Sequence, residues 1–546
     1  MPAQLKSSSS GGCGKMLPQS VPDTAATRPR LFLSPRAPES PIMETEAAAA
    51  ATPRTKKRRT EASQREEPGE IVSPPPQSDL QPRPPAGALH PDPTSHGEEP
   101  PPGAGGGGGD DVDRISTLPD AILGEIISLL RTKDGARTQT LASRWRHLWL
   151  SAPLNIDHSS MPTGHEAQAG IISRILAAHS GPARRFSVPN FHLYYRKATV
   201  DAWLRSPALD RLQELEFNDG GWNTWQSLPA SAFRFTATLC VFTMSRCSLL
   251  DETVKTFQFP QLRQLALVYM EISDIALHGI TSASACPVLE YLLINGCSVH
   301  CLRINSPSLK SIAMSSGDVI IEDAPLLQRL FQLQTGLNIS VISAPKLETL
   351  GCLDYDSKMV FGTTVIQKLC AVSFTAVVCS VRILAIYMYD LNLDMVINLL
   401  RCFPCLEKLY IEPSGRKGTN YFSITNPDLI RSKNLWRRKL CDLIRCLDIR
   451  LKKIVLKNYR GIKSEVNFAS FFVLNAKMLE LMRFEIGEYN DNEKFIAEQR
   501  RSLHLEKRAS RRAQFYFITG CEKCRHNLSH FPHINRVSDL SIIDPF

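Results

Sequence analysis

Several features that mark membrane-spanning or secreted proteins are missing from this sequence. Its best apolar candidate, residues 377–389, is interrupted by Ser380 and Arg382, so no run reaches the roughly 18 apolar residues that a membrane helix requires. The first residues lack the apolar core of a signal peptide. The 15 cysteines are odd in number and follow no regular framework. We therefore expect reduced thiols, no membrane partner, and a location in the nucleus, the cytoplasm or both.

Signatures of catalysis and of cofactor binding are also missing. The glycine run 105–109 lacks the flanking strand and the Lys-Ser/Thr pair of a phosphate-binding loop. No paired carboxylates and no Ser/His/Asp set stand at telling positions. We therefore expect a protein that is not an enzyme and that needs no cofactor.

One pattern near the C-terminus resembles a metal site. Cys521 and Cys524 have Cys-x-x-Cys spacing, and three histidines follow them: His526, His530 and His533. A structural zinc site needs four ligands in a closed tetrahedron. A single cysteine pair with scattered histidines in a loop-rich stretch favours reduced surface cysteines, so we assign no metal site.

Residues 1–112 are dominated by proline, serine, alanine and glycine. Such a composition cannot bury enough apolar surface to offset its chain entropy, so we predict a disordered tail. The basic run Lys56, Lys57, Arg58 and Arg59 inside it is a nuclear-localisation candidate. A solvated charge cluster is the alternative interpretation of the same run.

The net charge of +10 permits an acidic partner surface without requiring nucleic acid. The basic cluster from Arg431 to Lys463 has only Trp436 and Tyr459 as interleaved aromatic residues, whereas single-strand binding relies on stacking platforms. This pattern favours a solvated basic face. A nuclear factor associated with nucleic acid stays a third hypothesis, which would require binding that falls steeply with salt.

Three short helices are predicted after Asp113. The stretch from Ser116 to Asp120 predicts a helix start, with a hydroxyl cap followed by Pro119 in the first turn. Apolar residues then occupy one helix face: Ile122, Leu123, Ile126, Ile127 and Leu130. The second and third helices are predicted at 136–142 and 143–150. Helices this short cannot form an independent core, so their apolar surface must pack on the rest of the chain or on another protein.

A different period begins near residue 208. The leucine-rich-repeat template L-x-x-L-x-L-x-x-N/C-x-L fits units that start at Leu239, Leu262 and Leu289. Partial units or strand starts follow the same pattern at Leu212, Leu309, Leu327, Leu347, Val381 and Leu406. Each unit is predicted to add one short strand to a shared core, with Cys or Asn satisfying backbone groups at the turn that leaves the strand. Cys402 and Cys405 fall where this pattern expects core.

Further elements are predicted beyond the repeats. They are a helix at 393–402, strands at 447–451 and 454–456, a helix at 466–476, a strand at 478–484 and a basic helix with Arg500, Arg501, Lys507, Arg508, Arg511 and Arg512. The predicted fold class is therefore α/β.

At residues 114–150 the sequence resembles a plant-type F-box. The resemblance rests on these stretches: Arg114-Ile115-Ser116-Thr117-Leu118-Pro119-Asp120, Ile126 to Leu130, Thr132-Lys133-Asp134, and Ser143 to Trp149. The later units resemble the plant F-box, leucine-rich-repeat and FBD proteins, with 447–484 similar to the FBD region and 539–546 similar to the ending of that group. The resemblance implies an F-box at 113–157, an irregular leucine-rich-repeat solenoid at 200–415 and an FBD-like α+β region at 440–546.

The resemblance also implies a function. It is that of the substrate-recognition subunit of a Skp–cullin–F-box E3 ubiquitin ligase, whose F-box docks the Skp-type adaptor, and through it cullin, while the repeats bind an unknown protein substrate. Such a subunit contributes proximity and no bond chemistry. The implied adaptor-binding residues are Leu118, Pro119, Ile122, Leu123, Ile126, Leu130, Leu141, Trp145, Leu148 and Trp149.

Two residues depart from the family pattern. Arg131 stands where the family has proline, so we expect a longer first helix or a changed exit angle. Gly135 is expected to loosen the start of the second helix. These departures motivate the alternative of a non-ligase leucine-rich-repeat scaffold with a degenerate F-box.

Overall fold

The fold is described from a computed structural model of the chain. It covers residues 114–115, 117–218, 225–249, 251–254, 257–373, 377–413, 449–519, 534 and 536–542. The predicted tail at 1–112 with Lys56 to Arg59, and the Cys521-to-His533 pattern, lie outside these described residues. Within them, every helix is too short or too polar to cross a membrane.

Helices occur at both ends of the described chain and in two places along its middle. Their bounds are α1 Asp120–Ser128, α2 Thr132–Arg137, α3 Ser143–Ser151, α4 His165–Ala178, α5 Phe191–Tyr195, α6 Lys197–Leu204, α7 Asp251–Val254, α8 Asp274–Thr281, α9 Leu393–Cys402, α10 Lys463–Asn475 and α11 Glu493–Ser502.

Strands make up most of the rest. Their bounds are β1 Leu154–Asp157, β2 Ala183–Pro189, β3 Glu214–Asn218, β4 Gln226–Ser227, β5 Val241–Ser245, β6 Cys247–Leu249, β7 Gln264–Val268, β8 Glu271–Ile272, β9 Tyr291–Asn295, β10 Cys301–Asn305, β11 Ser311–Met314, β12 Asp318–Asp323, β13 Arg329–Gln332, β14 Asn338–Val341, β15 Thr349–Leu353, β16 Lys358–Phe361, β17 Thr364–Gln367, β18 Cys370–Ser373, β19 Ile383–Met388, β20 Lys408–Pro413, β21 Lys453–Tyr459, β22 Leu481–Ile486 and β23 Gln514–Thr519.

The main sheet has 14 strands in the order β1-β2-β3-β5-β7-β9-β11-β13-β15-β19-β20-β21-β22-β23. Every neighbouring pair in it is parallel. Parallel neighbours require a crossover between them, so each unit leaves the sheet and returns one strand further along. The predicted α/β class is confirmed at this level.

The template leucines form the core of this sheet. In register across successive strands lie Leu215, Phe242, Leu265, Leu292, Ile312, Leu330 and Leu350. Each of these side chains is fully buried and belongs to one continuous core. The predicted strand starts from Leu212 to Leu406 are also buried in it, so the shared core expected from the repeats is confirmed.

A paired amide contact sets the entry of the main-sheet strands from β5 to β22. The amides of Cys240 and Val241 both donate to the carbonyl of Gln213, at 2.7 and 3.0 Å. The next unit repeats this contact, with the amides of Arg263 and Gln264 on the carbonyl of Cys240 at 2.9 and 3.0 Å. The acceptors continue unit by unit with Arg263, Glu290, Lys310, Gln328, Glu348, Arg382, Glu407 and Lys452. The contact therefore fixes each strand one step from the last.

Proline positions the turn before several of these strands. The amide of Leu327 donates to the carbonyl of Ala324 at 3.1 Å, so Pro325 occupies the second position of a four-residue turn. Leu347 and Ala344 make the same bond at 3.2 Å around Pro345. Proline suits this position because its ring fixes φ near −65°.

Two cysteines at the turns that follow the strands bond to backbone carbonyls, as predicted. The Cys297 thiol donates to the carbonyl of Leu267, in the preceding unit, at 3.4 Å. The Cys247 thiol donates to the carbonyl of Ser245 at 3.3 Å. Burial raises the pKa of the Cys297 thiol to about 11, so it stays protonated and can donate near neutral pH.

A second sheet of six strands, which the repeat pattern does not predict, has the order β10-β12-β14-β16-β17-β18. Its first three pairings are parallel and its last two are antiparallel. Leu302, Val319, Ile339 and Met359 from these strands enter the same core as the main sheet. In this part of the chain the strands of the second sheet therefore cover the side of the core opposite the main sheet. In other units the helices α8 and α9 cover that side.

Two predictions for the C-terminal part are wrong in detail. Residues 449–452 are not strand, because the paired amide contact on Glu407 begins at Lys452 and β21 starts at Lys453. The basic helix ends at Ser502, since His504 takes the left-handed φ of 53° that stops a helix. Of the predicted basic set, Lys507, Arg508, Arg511 and Arg512 therefore lie beyond α11.

His192 is the buried titratable group whose pKa shifts most clearly in the N-terminal part. Its ring is fully buried, with Nε2 2.9 Å from Oε1 of Gln168 and the Trp203 ring 5.4 Å away. Burial and, as a smaller cause, the nearby positive charge of Arg196 together lower the pKa of His192 to about 4.

We predict an acid-linked loss of stability from this histidine. Histidine in the unfolded chain has a pKa of about 6.5. Between pH 6.5 and about pH 4 the unfolded chain therefore binds a proton at this residue and the folded chain does not. The free energy of unfolding should therefore fall below pH 6.5, by roughly 2–3 kcal/mol at pH 4.5 from this group alone. Urea unfolding of wild type and His192→Gln at pH 7 and 4.5 measures it. Equal acid losses in both proteins would contradict the assignment.

Candidate functional site

The three helices α1, α2 and α3 form a small cluster at the start of the described chain. Leu123, Ile127, Trp145, Leu148 and Ala152 are buried together as its core, separate from the core of the sheets. A cluster this small is stabilised by few apolar side chains, so contacts that tie its ends matter.

Arg144 makes the main polar contact between α1 and α3. Its guanidinium bonds the carboxylate of Asp120 through Nε at 2.7 Å and through Nη2, and Nη2 also donates to the carbonyl of Leu118 at 2.7 Å. The predicted hydroxyl cap of α1 is wrong. Pro119 precedes the helix without a side-chain cap, and the Thr117 hydroxyl donates instead to the carbonyl of Arg114.

The second helix begins earlier than predicted, at Thr132. Arg131 precedes it with φ −64° and ψ 152°, and this φ is the one that proline would enforce. The expected lengthening of α1 is wrong, because α1 ends at Ser128. A Cβ on Gly135 would lie 3.2 Å from Nε1 of Trp149, so this glycine lets α2 approach α3 closely.

The cluster is fastened to the first strand of the main sheet. The Thr132 hydroxyl donates to the carbonyl of Asn155 and accepts from the amide of Asp157, both at 2.7 Å. On the other side, Nε2 of His179 lies 2.8 Å from the carbonyl oxygen of Trp149. These bonds hold the cluster in a fixed position against β1.

The structure divides the predicted adaptor-binding residues into three groups. Pro119, Ile122, Ile126 and Leu141 are exposed; Leu118, Leu130 and Trp149 are half-buried; Leu123, Trp145 and Leu148 are buried in the cluster core. The buried three support the surface and do not form it. The adaptor-binding role of the set stays a prediction.

Sequence reasoning missed one prominent residue of this surface. Leu129, at the C-terminal end of α1, is 73% exposed and follows Ile126 at a helical spacing of three. Ile122 and Ile126 are 48% and 39% exposed on the same helix. An isolated exposed leucine needs no explanation, but three large apolar side chains exposed together form an apolar patch of the kind common at interaction surfaces.

Other candidate sites have simpler structural roles. Cys402 is fully buried in the main core, as predicted, whereas Cys405 is half-buried. Burial raises the pKa of Cys402 to about 11. Across the ranges that the structure describes, no three His, Cys, Asp or Glu side chains are grouped to hold a metal ion.

Comparison with known proteins matches the regions beyond the cluster. Residues 200–411 match the family model of the LRR repeats of FBD-associated F-box protein At5g56370, and residues 441–484 match the FBD family. An FBD-associated F-box protein of Arabidopsis thaliana is 24% identical over 437 residues, which cover 72% of this chain and 97% of the relative. The chain is therefore similar to the plant F-box/LRR/FBD proteins, and it matches the LRR and FBD family models.

Other relatives match over shorter stretches. A second FBD-associated F-box protein of Arabidopsis thaliana is 29% identical over 241 residues, 40% of this chain and 55% of the relative. F-box/LRR-repeat protein 13 of the same plant is 26% identical over 263 residues, 45% of this chain and 53% of the relative. The chain thus spans about half the length of each of these two relatives.

The two regions that match the LRR and FBD family models share one sheet. The LRR match ends within β20, and the FBD match includes β21 and α10 and ends within β22. β21 pairs in parallel with β20, from Lys408 beside Lys453 to Ile411 beside Leu456. The FBD region therefore continues the repeat architecture by further strands.

We predict that truncating two neighbouring residues of α1 changes the free energy of unfolding by very different amounts. Leu123→Ala should lower the free energy of unfolding by about 2–5 kcal/mol, because it leaves a cavity in the cluster core. Ile122→Ala should change it by less than about 0.5 kcal/mol, because that side chain is exposed. Urea denaturation monitored by tryptophan fluorescence provides the measurement. Similar losses for both variants would show that α1 is rotated from the position described.

Proposed function

We propose that this protein is the substrate-recognition subunit of a Skp–cullin–F-box ubiquitin ligase. In this proposal α1–α3 are the F-box within 113–157 and dock the Skp-type adaptor, and through it cullin. The strands of 200–415 form a leucine-rich-repeat solenoid that binds a protein substrate, and 440–546 extend it. The protein itself transfers no chemical group.

The observation that carries this proposal is the apolar exposure of α1. Ile122, Ile126 and Leu129 project from a helix whose opposite side fills the cluster core. Burial of such side chains in a partner contributes about 1.5–3 kcal/mol each, before the costs of association. A partner with an apolar groove would therefore gain most of its affinity from this helix.

The two departures from the family pattern, Arg131 and Gly135, do not argue for a degenerate F-box. Arg131 takes a φ near that of the family's proline, and Gly135 packs against Trp149. Both residues are therefore compatible with an intact cluster, and the ligase role is preferred over the non-ligase scaffold.

We further propose that the protein acts in the nucleus, the cytoplasm or both, without a membrane or nucleic-acid partner. The thiols of the described residues support a reducing compartment, since the cysteines from Cys240 to Cys405 are all free.

Adaptor binding tests the proposal directly. The full chain should bind purified Skp adaptor, and Ile122→Asp with Ile126→Asp should weaken binding at least tenfold, because two charges would enter an apolar interface. Ile275→Asp is the matched control, since Ile275 is 70% exposed on α8, away from the cluster. Leu118→Ala with Pro119→Ala should also weaken binding. Surface plasmon resonance gives the affinities.

Three outcomes would count against the proposal. No adaptor binding by the folded wild type would favour the scaffold. Unchanged binding by the Ile122/Ile126 variant would move the interface elsewhere. A loss with the Ile275 control as large as with the cluster variant would mean that the assay reports general damage.

Partner turnover separates a ligase subunit from a scaffold. If the proposal holds, the Ile122/Ile126 variant still binds its partner through the repeats but no longer presents it for ubiquitination. The partner's half-life in cells should then lengthen several-fold relative to the Ile275 control. An unchanged half-life of every bound partner would support the scaffold.

A further inference from the structure

The C-terminal segment lies on the face of the main sheet that is turned away from the main core. Its 3₁₀ helix, Val537–Ser541, contacts β7, β9 and β11. Ile534, Val537 and Leu540 are buried there together with Ala266, Leu293, Ala313 and Phe331. This second apolar cluster is separate from the main core.

The sheet residues beneath the segment form a single row. Pairing places Ala266 beside Leu293, Leu293 beside Ala313, and Ala313 beside Phe331 across four consecutive strands. The row is bounded by Thr243 on one side and Gly351 on the other. We call the four residues from Ala266 to Phe331 the apolar row. The two alanines leave space that larger side chains at the same positions would fill.

One polar contact orients the segment on the row. Nη1 of Arg329 donates to the carbonyl oxygen of Leu540 at 3.1 Å and to the Ser311 hydroxyl at 3.2 Å. This contact recognises a backbone carbonyl and no particular side chain. The segment is therefore held by apolar packing on the row and by one arginine bond to its backbone.

We propose that the apolar row is a docking site for a segment of a partner protein, and that residues 534–542 occupy it in cis until that partner displaces them. The partner chemistry follows from the occupant: a short helical turn with apolar residues three positions apart, as Val537 and Leu540 are, and a backbone carbonyl for Arg329. The inference that the partner is a ligase substrate rests on the proposed function. The inference that a partner segment competes with residues 534–542 for the row is independent of that function.

The small size of the contact makes it displaceable. The segment is one helical turn, and turns this short are not stable alone. Because the segment is part of the same chain, it competes as an intramolecular ligand, for which an effective concentration of about 1 mM is typical. If the free peptide binds the row with a dissociation constant near 100 µM, the tether weakens any competitor about tenfold, which a micromolar partner overcomes.

A peptide competition in the full chain tests the inference. The probe is a fluorescein-labelled peptide with the sequence of residues 534–542. Val537→Asp with Leu540→Asp should release the segment, so this variant should bind the peptide about tenfold more tightly than wild type. Ile542→Asp, at a residue that is 51% exposed on the same segment, is the matched control and should behave as wild type. Adding Ala313→Trp to the release variant should abolish binding by filling the row.

The outcomes separate this inference from the proposed function. Absence of peptide binding by the folded release variant, or equal binding by variant and wild type, overturns the docking site. Adaptor affinity should be unchanged in the release variant, so a failure of adaptor binding in wild type bears only on the ligase proposal.

Hydrogen exchange on the wild type keeps the inference falsifiable if the release variant does not fold. An excess of isotope-labelled peptide should speed exchange of the chain's own Asp539 and Ile542 amides several-fold, because the peptide replaces the segment. Unchanged exchange at millimolar peptide would make the segment a permanent part of the sheet face and overturn displacement.

Discussion

The paired amide contact at the entry of the main-sheet strands from β5 to β22 is the constraint on which the sheet depends. One carbonyl, such as that of Glu348, accepts the amides of Arg382 and Ile383 at 2.8 and 3.0 Å, although these residues lie a whole unit further along the chain. A single hydrogen bond contributes only about 0.5–1.5 kcal/mol net. The main effect of the contact is to set the register between neighbouring strands. It aligns the template leucines of successive units, so that their side chains fill one core.

Because the contact fixes only the start of each strand, the segment that returns the chain to the next strand can vary in length and in secondary structure. Between β9 and β19 short strands return the chain on the other side of the core, whereas α8 and α9 do so elsewhere. Both solutions supply apolar side chains to the same cluster, for example Leu302 from β10 and Val396 from α9. Since each repeat contacts mainly its neighbours, units of unequal length can stack without breaking the sheet. Irregular spacing in the sequence is therefore compatible with a regular sheet.

Where a local signal agreed with the tertiary environment, the sequence predicted structure closely. The helix at 393–402 has its predicted bounds because the Asn392 side chain accepts from the amides of Asp394 and Met395. The second sheet was not predicted because its strands lie outside the leucine-rich-repeat template; β10, for example, supplies only Leu302 and Ile304 to the core. At the helix cluster, periodicity could not decide that Leu123 faces inward while Ile122 faces outward, since adjacent residues share one apolar stripe. The bounds 113–157, 200–415 and 440–546 rest on the resemblance and stay predictions.

A continuous sheet gives the two surfaces of this protein a defined separation. The helix cluster is bonded to β1 through Thr132, and the apolar row spans β7 to β13 of the same sheet. From β1 to β9 the sheet takes five steps, each of about 4.8 Å, which places Leu293, the second residue of the row, roughly 24 Å along the sheet from the cluster's attachment. A flexible linker would average over many such distances, whereas a sheet holds one. In the proposed ligase role, the strand on which a partner docks would therefore set how far it stands from the adaptor, and this distance would matter as much as affinity.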